Sequence, residues 1–506
     1  MGQLPAAEPP VDASAAEAGV LPGVSDVAPR RPAPGQAPAP RPRGKAGQSL
    51  FRVIWRWHFF AGLFVAPIVM VVAVTGGIYL FSAEIGDVAN RDLLYVNAST
   101  STSAGSAEEA TAQALVAAAE AAVPGGYATG LTWRADPRRT VEVSIETPFR
   151  GDETAEPAGE RRGAEGLQST AYLHPRTAEV QAVSAEPQKL SGFFAAVLKI
   201  HRQLFLGTTG RIVVELATCW TIVLFLTGAY LWWPRRKEKV RGVWLPRWSA
   251  KPYTLLRDLH ALAGIYLWPV CLTILVTGLF YTLVWGESFH VVSRQAFAAT
   301  TASADAAQTP GERLENAPAK SAAAAPETFT FEQAVAKSRA LAPGRDVTVK
   351  VPAGPEDDYE VSTINDYARG TYGAMTSIGF KLDRRSGEAF GHEDLADNER
   401  YWWHAWVYPL HVGSVLGPAS KVVWLFACLA MAALPMTGLW MWWKRRPAGR
   451  SGFPRETSLE VVSPWLWGAI ALLCALLPAF GISLALVVGL DWAYGRVRPS
   501  GLPSRP

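Results

Sequence analysis

The sequence predicts an α-helical integral membrane protein with about five spans, four of them in an internally duplicated bundle, and two small α+β domains outside it. Three observations predict this. The chain holds five long apolar runs, its motifs are written twice, and its basic residues gather beside only some of the runs.

Of 506 residues, 49% are hydrophobic, and they are concentrated rather than dispersed. About 20 apolar residues cross a hydrocarbon core of about 30 Å. Runs of that kind lie near 58–82, 210–233, 261–285, 420–443 and 465–490. The last contains Pro478 and reads either as one kinked helix or as a re-entrant pair. One kinked helix is the expectation, with the C-terminus on the outer side.

The formal net charge of +4 gives no reason to expect a nucleic-acid partner; the placement of charge says more. Arg235, Arg236, Lys237, Lys239 and Arg241 follow the second run, Lys444, Arg445 and Arg446 follow the fourth, and Arg52 and Arg56 precede or open the first. By the positive-inside rule these segments are cytoplasmic, so the long intervening segments lie outside.

The chain then divides as follows. Residues 1–50 form a disordered, Pro/Ala-rich cytoplasmic tail, and 51–82 the first span. Residues 83–200 form the first external domain, 201–233 the second span with its outer lead-in, and 234–258 a basic cytoplasmic loop. The pattern repeats with the third span at 259–285, the second external domain at 286–403, the fourth span and lead-in at 404–443, and a loop at 444–464. A fifth span at 465–490 and a tail at 491–506 complete the chain. Segments 98–106 and 300–327 are rich in Ser, Thr, Ala and Pro and read as linkers.

The duplication is legible without gaps. "HFFAGLFVAPIVMVVAVTG" from His58 aligns with "HALAGIYLWPVCLTILVTG" from His260, matching Ala, Gly, Pro and Val-Thr-Gly. A second alignment joins His201 to His411, then Thr227-Gly228 to Thr437-Gly438, Trp232-Trp233 to Trp442-Trp443 and Arg235-Arg236 to Arg445-Arg446. Each external segment carries an Ala-rich amphipathic helix, then alternating runs such as "TVEVSIE" and "VTVKVP", then a strand pair interrupted by a turn. Thr-Gly in the spans reads as support for close helix packing, and the tryptophans as interfacial belts.

Four of the eight histidines anchor the repeat. His58 and His260 open outward-going helices and fall at the cytoplasmic face; His201 and His411 open inward-going helices and fall at the outer face. Paired imidazoles from different helices of a bundle are axial ligands for haem iron. Gly62 and Gly264, four residues after the inner histidines, leave room one turn deeper for a flat macrocycle. Gly207 and Gly417 are the outer counterparts, and Pro67 and Pro269 are expected to kink their helices. His404, seven residues before His411, competes for the outer site, and His290 is a second reserve. His174 and His392 read as surface residues. No carboxylate or Cys joins either pair at zinc-site spacing. The four cysteines all lie in apolar runs and read as small hydrophobes.

The His-led Thr-Gly helices, "HRQLFLGTTG" at 201–210, "TGAYLWWPRR" and "TGLWMWWKRR" resemble the PepSY-associated transmembrane family of iron-regulated membrane proteins. "YLHPRTAEV" and "KLDRRSGEAFG" are similar to the closing strands of PepSY domains. The resemblance covers about residues 50–490. It implies two PepSY-like periplasmic domains on a protein of the bacterial inner membrane, similar in role to periplasmic ferri-siderophore reductases. It also implies two b-type haems with bis-histidine ligation, carried over here to His58/His260 and His201/His411. The implied acceptor is a ferric siderophore or other ferric chelate outside. No G-x-G-x-x-G follows a strand, so the donor is expected to be a separate flavoprotein or quinol.

Two other functions compete. One is a non-enzymatic membrane protein whose external domains bind or regulate partner proteins; the other is a transport subunit. The spans mark a transport route poorly, with Glu215 almost their sole ionisable residue.

Overall fold

The structure is a computed structural model. It describes residues 50–96, 109–148, 167–185, 188–234, 240–307, 329–354, 357–363, 378–394, 403–449, 452–454 and 463–497. The tail at 1–49, the linker 98–106, most of the linker 300–327, Arg235, Arg236 and the chain beyond 497 lie outside these residues.

Among the described residues three helices are long and apolar enough to cross a membrane: α1 (Leu50–Tyr79), α6 (Gly207–Trp232) and α12 (Pro418–Arg445). A fourth crossing exists if α7 (Pro252–Tyr266) and α8 (Trp268–Leu279) count as one span bent by 60°. The two aligned prolines act differently. Pro269 sits in the first turn of α8, where a missing N–H costs nothing, and the chain bends at Leu267. Pro67 lies inside α1, which runs on through it.

The run at 465–490 is broken before Pro478. It forms two shorter helices, α13 (Pro464–Leu476) and α14 (Pro478–Val497). A proline disfavours helical backbone in the residue before it, and Leu477 sits at φ −126°, ψ 79°. The chain bends there, and a Cβ on Gly481 would meet Cβ and O of Cys474 at 3.0 Å. Leu477 and Phe480 pack against Cys219, Ile222 and Leu279, and Ser483 accepts a hydrogen bond from Trp220 Nε1 at 3.0 Å.

Small side chains let the spans approach. Ala73, Phe225, Cys271, Ala427, Cys428 and Met431 form one buried cluster. Cys219, Cys271 and Cys428 are buried, unpaired thiols, as a small-hydrophobe role requires. Glu215 is fully buried, and its two oxygens accept the backbone N–H groups of Val284 and Trp285, each at 2.8 Å. It therefore caps the N-terminus of α9 (Val284–Ala307), where free N–H groups and the helix dipole favour a carboxylate. That structural duty removes the main candidate for a transport path. The last eight residues of α9 fall in the stretch expected to be linker.

Beyond the α1 end at Tyr79 come α2 (Ser82–Ala89), α3 (Arg91–Leu94) and α4 (Ala112–Ala122). Strands β1 (Tyr127–Trp133), β2 (Val141–Thr147), β3 (Leu167–Leu173) and β4 (Val180–Ser184) follow, and α5 (Ser191–Gln203) leads into α6. The second half supplies α10 (Phe331–Leu341), β5 (Val347–Lys350), β6 (Tyr359–Thr363), β7 (Ile378–Leu382), β8 (Ala389–Asp394) and α11 (His404–His411). In β2, Val141, Val143 and Ile145 point inward while Glu142 and Ser144 do not, the period-2 pattern of a one-sided sheet.

The eight strands make one antiparallel sheet in the order β4-β3-β2-β1-β5-β6-β7-β8. Sequence separates the two external segments; the structure joins them edge to edge through β1 and β5, Leu131 opposite Val349 and Trp133 opposite Val347. Exchanging the halves reproduces the order, so the duplication becomes a two-fold relation about that seam. The joint hides two edge strands that would otherwise be open to misassociation. It also merges the cores, since Leu115, Leu131, Val143, Val349, Tyr359 and Leu382 belong to one buried cluster. Arg134 spans the seam, bonded to Glu142 at 2.7 Å and to Asp346 at 2.8 Å.

His174 is not a surface residue. It is 5% exposed and lies in the β3–β4 turn, where its Nδ1 accepts the N–H groups of Arg176 and Thr177 at 3.1 and 3.3 Å. The β7–β8 turn places Asp383 in the same role, accepting from the N–H groups of Arg385 and Ser386 at 3.0 and 2.7 Å. His392 is exposed, as expected.

Candidate cofactor site

Each repeated histidine rests on a repeated Thr-Gly. His58, on α1, meets Thr227-Gly228 of α6: its Nδ1 lies 2.9 Å from Thr227 Oγ1. His260, on α7, meets Thr437-Gly438 of α12, with Nδ1 2.8 Å from Thr437 Oγ1. His201, at the end of α5, returns to Thr75-Gly76 of α1, and His411, at the end of α11, to Thr277-Gly278 of α8. Their Nδ1 atoms lie 2.9 Å from Val72 O and 3.0 Å from Ile274 O, with the threonine hydroxyls at 3.3 and 3.1 Å.

These contacts fix the tautomers. A carbonyl oxygen only accepts, so Nδ1 of His201 and of His411 carries its hydrogen and donates it. Thr227 already donates its hydroxyl hydrogen to Val223 O at 2.8 Å, and Thr437 donates to Leu434 O at 2.8 Å. Their oxygens are left to accept, so Nδ1 of His58 and of His260 must be the donor as well. In all four rings Nε2 is then the lone-pair nitrogen, and among the described residues no hydrogen bond occupies it.

The glycines give the rings their room. A Cβ at Gly76 would stand 3.0 Å from His201 Cε1, at Gly278 3.2 Å from His411 Cε1, and at Gly228 3.3 Å from His58 Cε1. At Gly438 the distance to His260 Cε1 would be 3.8 Å. Thr-Gly therefore seats and orients an imidazole, a role the sequence reading gave only as helix packing. The signal was present: four Thr-Gly pairs for four repeated histidines.

The structure brings the histidines together across the repeat. The ring centroids of His201 and His411 are 6.3 Å apart, with planes inclined by 60°. His58 and His260 form the other repeated pair, seated on Thr227 of α6 and Thr437 of α12. Eighteen residues of α1 separate His58 from Gly76, about 27 Å along the axis. His404 stacks on Tyr408 at 5.2 Å and meets Tyr281 edge-on at 5.8 Å; the imidazole opposite His201 is His411. His290 lies 5.1 Å from Trp403, its Nδ1 buried and without a hydrogen-bond partner among the described residues.

Among the described residues no group of three or more His, Cys, Asp and Glu converges as a metal site would. The donor set at the His201–His411 pair is two imidazoles 6.3 Å apart, which suits a metal whose remaining positions are filled by a ligand brought with it.

A duplicated bundle of apolar helices, each repeated histidine seated on a repeated Thr-Gly, joined to one antiparallel sheet built from both repeats, defines a helical membrane protein with an internal two-fold. The chain belongs to the family described as the PepSY-associated TM region, whose family model matches residues 55–445. No curated protein matches it.

Proposed function

We propose that the protein is a di-haem transmembrane electron carrier that reduces a ferric chelate, in the manner of a ferri-siderophore reductase, on the side of the bilayer where the sheet lies. The observation that carries this reading is the His201–His411 pair. Their ring centroids lie 6.3 Å apart. Two imidazoles that close, one from each repeat, would leave room for a single metal ion to be held between them. Gly264 adds support at the other pair, since a Cβ there would meet nothing within 4 Å.

Haem b supplies one-electron Fe(III)/Fe(II) chemistry when bound. The residues of this chain do the rest. His201 and His411 would hold one haem, and His58 and His260 the other. Donation from Nδ1 to a carbonyl or threonine oxygen fixes each ring and raises the basicity of Nε2. The buried surroundings of the bundle keep water from the ligands. An apolar layer of about 30 Å is too wide for one efficient electron step; two sites separated by most of that thickness divide it. One electron enters from a separate flavoprotein or quinol, which is oxidised by one electron equivalent. One Fe(III) outside becomes Fe(II), which hard-oxygen chelators hold less tightly.

The orientation proposed places the basic loops in the cytoplasm and the sheet in the periplasm, by the positive-inside rule. The test is haem content after expression with ample haem. About two haems per chain, with a Soret band and sharp α and β bands on dithionite reduction, are expected, followed by re-oxidation on adding a ferric chelate. A folded protein that takes up no haem would overturn the proposal and leave the reading as a partner-binding membrane protein.

A further inference from the structure

Between the sheet and the α1 end of the bundle lies a cleft of about 260 Å³, lined by Asp87, Asn90, Arg134, Arg139, Lys189 and Phe194 among others. Its chemistry is set by Arg139. This side chain is only 7% exposed, and its Nε is buried without a hydrogen-bond partner among the described residues. Nη1 reaches Asp87 only at 3.4 and 3.5 Å, and the guanidinium lies over the Tyr95 ring at 5.3 Å. Burying a charged donor without a partner is costly, and a buried guanidinium with a donor left unused is a group that an incoming carboxylate can pair with.

The surroundings fit an anion. Arg134 is already bonded to Glu142 and Asp346, and Lys189 to the exposed Asp92, so neither competes for an incoming carboxylate. Asn90 holds the mouth in place: its Nδ2 donates to Gly86 O and Lys189 O, and its Oδ1 accepts from Lys189 N at 2.7 Å. The volume suits a small polycarboxylate or one arm of a larger ligand, below the usual range for a drug-sized molecule.

The position matters as much as the chemistry. Phe194 lines the cleft on α5, and His201 lies seven residues further along the same helix, on the same face and about 10 Å deeper. We infer that this cleft is a carboxylate-binding site that docks a carboxylate-bearing ferric chelate above the His201–His411 pair, with Arg139 as its anchor. The iron carried by the ligand rests on the function proposed above; the carboxylate site itself does not.

The experiment is calorimetric titration of the purified full chain in detergent with citrate and with ferric citrate, in haem-free and haem-supplied preparations. Citrate is expected to bind both preparations, more weakly as salt rises. Arg139→Gln should weaken binding about tenfold or more, because it loses the guanidinium charge. Arg139→Lys should recover only part of it. Asp87→Asn removes the acid that faces the ligand and should tighten binding, a gain that misfolding does not produce. The inference is overturned if citrate fails to bind the folded wild type, if folded Arg139→Gln binds it equally well, or if Asp87→Asn weakens binding. Citrate binding without any haem uptake would keep this site and discard the electron-transfer reading. Haem uptake without citrate binding would do the reverse.

Discussion

Gly76 faces the imidazole of His201 so closely that a methyl group in place of its hydrogen would stand 3.0 Å from Cε1. The same contact recurs at Gly278 and His411, Gly228 and His58, and Gly438 and His260, with clearance increasing to 3.8 Å at the last. A graded series of substitutions follows from those distances.

Gly76→Ala and Gly278→Ala must push an imidazole aside, and overpacking of this kind costs about 1–3 kcal/mol. Gly438→Ala meets ordinary van der Waals contact only, and an alanine in a helix gains up to about 1 kcal/mol over glycine. Thermal melting should therefore fall for the first two and hold or rise for the third. In haem-supplied protein the outer pair should lose its share of the absorbance first. Equal losses from Gly76→Ala and Gly438→Ala would show that ring clearance is not what these glycines provide.

The threonines make a separate prediction, because hydroxyl and methyl are nearly the same size. Thr227→Val leaves the donating Nδ1 of His58 with the Leu224 carbonyl as its nearest fallback. The expected loss is at the lower end of the about 1–3 kcal/mol for an unsatisfied buried polar group. Thr227→Ser should restore it. If the His58–His260 pair holds a haem as proposed, the readout is that haem's midpoint potential or band position, since a freed imidazole loses basicity as a ligand; in haem-free protein it is thermal melting. Valine and serine variants that behave alike would remove the hydroxyl from the argument.

The β3–β4 turn should respond to acid. Burial lowers the pKa of His174 below its ordinary 6.5, with Glu179 opposing the shift and Arg176 adding to it. A histidine whose folded pKa is depressed binds its proton more readily when unfolded. The stability it contributes is complete above pH 6.5 and is lost as pH falls from there toward the folded value. Protonation also removes the acceptor used by Arg176 and Thr177. Melting of the wild type should thus drop between pH 7.5 and 5.5 by more than that of His174→Asn, whose side-chain oxygen can hold the same turn without titrating in that window. Parallel pH curves for the two proteins would count against this assignment.

These residues also show what could be read in advance. The duplicated histidines, their division between two ends of the bundle and the helix-then-strands order of each external segment follow from apolar periodicity and alignment, which are local properties. The seam between β1 and β5 does not, because edge pairing between segments about 200 residues apart leaves no mark in either one. His174 was misread for a related reason. The surrounding "HPRTAE" is polar and turn-like, and nothing in it says that the ring folds inward to hold backbone N–H groups. The same turn carries Asp383 in the second half, and the left-handed Ala178 there corresponds to Gly387, at φ 55° and 68°. Thr-Gly was visible four times yet assigned to packing, since its partner in each case lies on another helix, 126 to 177 residues away. At Pro478 the sequence leaves a kinked helix and a re-entrant pair open, and the structure shows the helix broken at Leu477 between α13 and α14.

The seam itself can be tested at Arg134. Its side chain is 12% exposed and holds Glu142 of its own half and Asp346 of the other. Removing one partner from a buried charge cluster leaves the remainder uncompensated and costs about 3–5 kcal/mol. Arg134→Met should therefore destabilise the sheet strongly, with both acids left facing each other. Asp346→Asn should cost much less, because Arg134 keeps Glu142 and the amide oxygen still accepts from it. Hydrogen exchange separates a local from a global effect: loss of protection should concentrate in β1 and β5, while α1 and α12 remain protected. Were the two halves independent domains that merely touch, Arg134→Met would loosen β1 and leave the exchange of β5 and β6 unchanged.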